Sequence, residues 1–87
     1  MNTLPQTPPL PRELEHLATE HTRPVHIGSA DVALLCVHWG FTRGDGREYV
    51  RKLVENEVLK PRHIALQRGL RFVTVEVLQF YAGAVEA

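Results

Sequence analysis

A single cysteine in 87 residues leaves no partner for a disulfide and no cysteine pair at zinc-finger spacing. Cys36 lies inside the apolar run 32–37, where a thiol packs as a small hydrophobe rather than serving as a nucleophile. Five histidines are present, but His16 and His21 are five apart and off a common helical face, and no HisGluXXHis pattern occurs. His26, His38 and His63 belong to different segments, so no metal ion or cofactor is expected. There is no phosphate-binding glycine loop, no Ser-His-Asp arrangement and no paired acidic cleft, and a chain this short has little room to enclose a substrate. An enzyme is therefore not expected. No apolar run approaches the length needed to span a bilayer, and the start lacks the basic-then-apolar order of a signal peptide, which leads to the expectation of a cytoplasmic protein without membrane contact.

Net charge is also lacking: ten Lys and Arg balance ten Asp and Glu. The balance is uneven along the chain. Residues 1–40 carry two cations against four anions, 41–74 carry eight against four, and the remainder adds two anions. A basic segment between acidic ones makes a local positive face, and for a polyanionic partner the local face outweighs the total.

What is present is enough apolar sequence, 44% of the chain, for one small domain with a single core. Four of the six prolines fall within residues 1–11, which reads as an extended, poorly ordered arm over 1–10. Within it, Pro8-Pro9-Leu10-Pro11-Arg12 has the superficial form of a polyproline ligand. The domain proper is assigned to 11–87. Pro11 suits a helix start, and Leu10, Leu14, Leu17 and Ala18 recur at helical spacing, predicting an N-terminal helix over about 11–21. Its stripe of Leu10, Leu14 and Leu17 either packs on its own domain or forms a partner interface.

The alternation at Val25-His26-Ile27 suits a short strand, and Ser29 is placed to cap a mostly buried helix ending at Gly40. Asp45, with Glu48 three residues on, predicts the cap of a second helix over about 46–56. Its inner face is formed by Tyr49 or Val50, Leu53 and Val54, while Arg47, Arg51, Lys52 and Glu55 face out. Asn56 is the expected left-handed stop, after which Val58 and Leu59 return to the core. Residues 63–66 and 70–73 predict a hairpin about Gln67-Arg68-Gly69. Thr74 then caps a last helix that Gly83 ends.

With this order, residues 29–35, 49–55, 58–62, 68–72 and 75–80 resemble the DNA-binding domain of the MerR and phage-excisionase superfamily, over about 50 residues. In that resemblance Ala33 is the small residue that admits the second helix. The implied fold is mainly α with a small β-hairpin, a winged helix-turn-helix, of the small kind that has no effector domain. It implies a recognition helix over about 46–56 in the major groove of double-stranded DNA and a wing over about 63–73 on the flanking backbone. The implied DNA-binding residues are Arg43, Arg47, Arg51, Lys52, Arg62, Arg68 and Arg71. The chain departs from the family's pattern in two places: Glu57 stands where the family has a glycine, and the turn between the two helices is several residues longer. By resemblance the function is that of an excisionase, a recombination directionality factor or a transcriptional regulator, acting with self-association or with a recombinase or transcription partner. The alternative is a winged-helix protein-protein interaction module that does not bind DNA, consistent with zero net charge and with Glu55 and Glu57 near the DNA side.

Overall fold

A computed structural model describes residues 8–62 and 69–86. The described chain is mainly helical, with a two-stranded antiparallel sheet. A short 3₁₀ helix, Arg12–Leu17, precedes strand β1 (His26–Gly28), helix α1 (Ser29–His38), helix α2 (Arg47–Glu55), strand β2 (Arg71–Val73) and helix α3 (Thr74–Glu86).

The N-terminal helix is shorter and tighter than its apolar spacing suggests. Three residues per turn in a 3₁₀ helix bring Leu14 and Leu17 onto one edge, and both are buried, with a kink at Leu14 (φ −122°, ψ 19°). Ala18, the fourth member of the expected stripe, is exposed. The segment stops at Leu17 because side chains farther along take up its last carbonyls: Arg23 Nε donates to Leu17 O at 2.7 Å and Thr22 Oγ1 to His16 O at 2.7 Å. Leu14 and Leu17 are buried in this domain's own core, which removes them as a partner interface, and Leu10 is half-buried against that core. Residues 8–10 of the expected arm also lie against the fold; Pro8 is buried. The rest of that arm lies outside the described residues.

β1 runs directly into α1. Gly28 is therefore both the last strand residue and the helix N-cap, and Ser29 is the first helical residue, without a side-chain cap. Asp31 in the first turn complements the positive helix end. Val32, Ala33, Leu35 and Cys36 form the buried side, at the i, i+1, i+3, i+4 spacing of one helical face. Beyond the helix Gly40 is left-handed (φ 81°); Phe41 N–H donates to Cys36 O and Gly40 N–H to Val37 O, both at 3.0 Å. This is the Schellman arrangement, which needs a left-handed residue at the position of Gly40.

α2 ends the same way with a different residue. Val58 N–H donates to Leu53 O at 2.9 Å and Glu57 N–H to Val54 O at 3.1 Å, so the left-handed position is Glu57 (φ 58°), not Asn56 (φ −89°). Leu59 then enters the core, whereas Val58 is half exposed. At its start the N-cap is the left-handed Gly46, and Asp45 acts one residue earlier, its Oδ1 accepting from Arg47 N–H at 3.1 Å.

β2 pairs with β1 in the register His26↔Val73, Ile27↔Phe72, Gly28↔Arg71, which sets the buried Ile27 and Phe72 opposite each other. The ladder partner of β2 is thus the strand preceding α1. On its other edge Arg71 exchanges backbone hydrogen bonds with Arg62 (2.6 and 3.2 Å), an isolated bridge. Residues 63–68, the expected first strand and tip of the hairpin, lie outside the described residues.

Thr74 is fully buried, and the start of α3 is tied by its backbone: Thr74 N–H donates to Val25 O at 2.9 Å, while its hydroxyl has no partner among the described residues. Val77 and Leu78 are the inward residues of α3, and the helix continues through Gly83 to Glu86. The core formed by the 3₁₀ leucines, Ile27, α1, Val50, Leu53, Leu59, Phe72 and Val77 is continuous. Burial of such side chains contributes roughly 1.5–3 kcal/mol each before chain entropy opposes it. No helix among the described residues is long and apolar enough to cross a membrane.

Candidate nucleic-acid interface

The packing of α2 on α1 decides which α2 side chains are left outside. Val50 and Leu53 are buried, and at 100° per residue this turns Arg47, Arg51, Lys52 and Glu55 outward, all of them exposed. Gly46 holds the helix close: a Cβ there would stand 2.6 Å from Ala33 O and 3.1 Å from Val37 Cγ2. The approach of α2 to α1 is therefore a backbone-to-backbone contact at Ala33.

Between the exposed start of α1 and α2 lies an open groove of about 430 Å³. Ser29 and Ala30 form one wall, Arg47, Arg51 and Glu55 the other, and Leu70 closes the end nearest β2. Val50 and Val54 make its floor apolar. The groove joins the outer face of α2 to the base of the segment that returns through Gly69, left-handed at φ 75°.

Its electrostatics are more even than the arginine count suggests. Arg51 is held between two carboxylates of its own helix, one turn back and one turn on: Nε donates to Glu48 Oε2 at 3.1 Å, a second nitrogen meets Glu48 Oε1, and Nη1 reaches Glu55 Oε1. Hydrogen bonding from Arg51 holds the Glu48 carboxyl below its ordinary range, and the same bonds raise the Arg51 guanidinium. Arg47 stands 3.7 Å from Asp45. Among the described residues Lys52 and Arg43 make no ion pair. Exposed pairs of this kind are worth only about 0–1 kcal/mol. The clamp thus orders the Arg51 side chain without committing it, and a phosphate oxygen can replace either carboxylate.

The other sequence-predicted residues fall into a second group. Arg62 is exposed and lies 3.4 Å from Glu76 of α3. Arg71 is half-buried; its Nη1 lies 3.4 Å from where a Gly28 Cβ would be, and its Nε is buried without a partner among the described residues. That environment makes Arg71 first a part of the sheet's packing. Arg43 is exposed in the turn before α2, and Arg68 lies outside the described residues. Arg47 and Arg51 are thus brought together in the groove with Leu70, Lys52 is exposed on the adjoining side of α2, and Arg62 and Arg71 face each other across the bridge.

Ser29 and Ala30 line the groove, although the sequence suggested for Ser29 only a helix cap and for Ala30 no place in the site. Nothing in their spacing marks them, because their exposure follows from the direct passage of β1 into α1. The clamp was available in the i, i+3 and i, i+4 spacing of Glu48, Arg51 and Glu55. Among the described residues no group of three or more His, Cys, Asp or Glu side chains is placed to hold a metal ion. The chain matches no family model, no curated protein sequence and no solved structure.

Proposed function

We propose that this chain is a small, non-enzymatic DNA-binding protein of the winged helix-turn-helix kind, with α2 entering the major groove and the segment between Arg62 and Arg71 lying on the flanking backbone. The observation that carries the reading is the exposed side of α2, where Arg47 and Arg51 line a groove that runs to Leu70 and Lys52 projects from the adjoining side of the helix. Cations so grouped fit phosphates, which supply much of the affinity for a duplex and position the protein on it. An arginine reaching a guanine edge adds roughly 1–3 kcal/mol of base discrimination. The direct passage of β1 into α1, the close α1–α2 approach at Gly46 and the β1–β2 pairing support the same arrangement. Within this reading the protein acts as an excisionase-like recombination factor or a transcriptional regulator, binding cooperatively with further copies or beside a recombinase or transcription partner.

Fluorescence anisotropy with a labelled duplex of about 20 base pairs tests it, starting near 50 mM salt. Binding is expected to weaken with salt, with a log–log slope of about −0.9 per phosphate contacted. Lys52→Glu and Arg47→Glu each weaken it across sequences. Absence of binding at low salt eliminates the reading.

The Glu48–Arg51–Glu55 clamp favours a second one, a winged-helix module that docks on a protein through the apolar floor of the groove. A partner retained from nuclease-treated lysate and lost in Val54→Asp, together with no affinity for DNA, would support that alternative.

A further inference from the structure

The proposed DNA contact leaves unused the densest cluster of aromatic rings in the molecule. Of the chain's six aromatic residues only Phe72 is fully buried. The other five are half-buried and gathered beyond the C-terminal end of α1. The Trp39 ring lies 4.7 Å from Tyr81 and 5.9 Å from Phe41, and Phe41 lies 5.7 Å from Phe80, 6.0 Å from Tyr81 and 6.4 Å from Tyr49. Rings at these spacings and tilts pack favourably with one another. A cluster that stays half open is also a platform.

One polar group on this platform is spoken for by the N-terminal segment. Trp39 Nε1–H donates to Pro9 O at 2.7 Å, a contact spanning thirty residues of sequence. On either side of the exposed Pro9, Pro8 and Pro11 are buried, and Leu10 packs on the core. Pro11 has φ −68° and ψ 160°, within the scatter of polyproline II. Pro8 and Pro11 are buried three residues apart, the interval at which one edge of such a helix recurs. An edge of two buried prolines, an outward proline whose carbonyl accepts from an indole N–H, and a half-open aromatic wall are the parts by which aromatic-lined grooves capture proline-rich peptides.

We propose that the face around Trp39 is a binding site for a polyproline-type peptide, occupied in this chain by its own Pro8–Pro11 stretch, and that a proline-rich segment of another protein takes the same seat when that stretch is displaced. The occupant's chemistry is copied from the resident: two prolines three apart, an intervening Pro-Leu, and a carbonyl presented to the indole. The site does not overlap the α2 groove. The groove begins at Ser29 and Ala30 whereas Trp39 caps the far end of α1, ten residues or about 15 Å along the axis. The inference does not depend on DNA binding.

Because Trp39 is the chain's sole tryptophan, its fluorescence and its indole N–H resonance report on this seat alone. The probe is a synthetic peptide with the sequence of residues 6–13, titrated into the full-length protein and into a Pro8→Gly/Pro9→Gly variant. A tethered segment competes at an effective concentration in the millimolar range, so the wild type responds weakly. Loosening the resident stretch with glycine is expected to shift the indole resonance and tighten the apparent affinity for the peptide by about tenfold or more. Trp39→Phe, which keeps a ring and removes the donor, weakens peptide binding as read from the backbone amides of Phe41 and Tyr81, with circular dichroism confirming that each variant is folded. No peptide response in the folded double-glycine variant up to the solubility limit of the peptide would overturn the proposal, as would undiminished binding by folded Trp39→Phe. Concentration-dependent self-association without a peptide response would assign the face to a second copy and overturn it as well.

Discussion

Replacing Gly46 by alanine should unseat α2, and its cost has two separable parts. The first is conformational. Gly46 has φ 78°, where a Cβ costs about 1–2 kcal/mol. The second is steric, since the new Cβ would meet Ala33 O at 2.6 Å and Val37 Cγ2 at 3.1 Å. Val37 can turn, but a helix backbone carbonyl cannot, so α2 must move away from α1, disturbing Val50 and Leu53 at the cost of a further 1–3 kcal/mol or so, as for overpacked cores. The sum is about 2–5 kcal/mol. A domain of 87 residues has roughly 4–13 kcal/mol in total. Gly44→Ala supplies the control: it has the same kind of backbone (φ 76°) but nothing within 4 Å, so only the conformational part applies. Urea unfolding followed by circular dichroism measures both, and the difference in midpoint at unchanged slope isolates the steric part. If Gly46→Ala proves no less stable than Gly44→Ala, α2 does not sit on the α1 backbone as described, and the α2 face loses its positional basis.

Glu57→Gly should stabilise the protein by about 0.5–1 kcal/mol in the same assay, because it relieves a left-handed glutamate at φ 58° where the helix stop calls for glycine. The double variant Glu48→Gln/Glu55→Gln should bind a DNA duplex more tightly at low salt, with the gain fading as salt rises; unchanged or weaker anisotropy binding would contradict the assignment of Arg51 to phosphate. Burial pushes the Cys36 thiol up to about 11 from an ordinary 9.0. The folded state therefore holds this proton more tightly than the unfolded chain, and its contribution is complete below pH 9 and lost as pH rises towards 11, to the extent of about 2–3 kcal/mol. Alkaline unfolding curves should show this decline, and Cys36→Ala should flatten that part of it.

The pattern of helices was legible where short-range signals suffice. The buried stripe of α1 and the inward Leu53 of α2 appear as read, Gly40 ends α1 as a left-handed stop should, and the strand expected at 25–27 forms one residue later, at His26–Gly28, with Ile27 buried and Val25 exposed. Tertiary choices were not legible. Leu14 and Leu17 are compatible with either an α or a 3₁₀ turn, and only their seat in the core selects the tighter one. Gly46 rather than Asp45 caps α2 because the neighbouring α1 backbone admits no side chain. Asn56 is the better left-handed residue by propensity, yet the hydrogen bonds from Glu57 and Val58 place the stop one residue later. Gly83 does not end α3, since a glycine inside a helix costs only about 1 kcal/mol and nothing there supplies a stop. Of the basic residues, the pairing of Arg47 and Arg51 follows from their i, i+4 helical spacing. The inward turn of Arg71 over Gly28 depends on strand register, and the seat of Pro9 on Trp39 on a contact thirty residues apart.

The most direct test of the α2 face is a two-dimensional nitrogen–proton titration of the labelled protein with a duplex at low salt. The account predicts that perturbations concentrate at Ser29 and Ala30, along residues 47–55, and at Gly69 and Leu70, with the Arg47 and Arg51 side-chain resonances among the most affected and the C-terminal half of α3 unchanged. A spectrum that does not respond to DNA, or one whose changes fall on Trp39, Phe41 and Tyr81 while α2 stays silent, would contradict it.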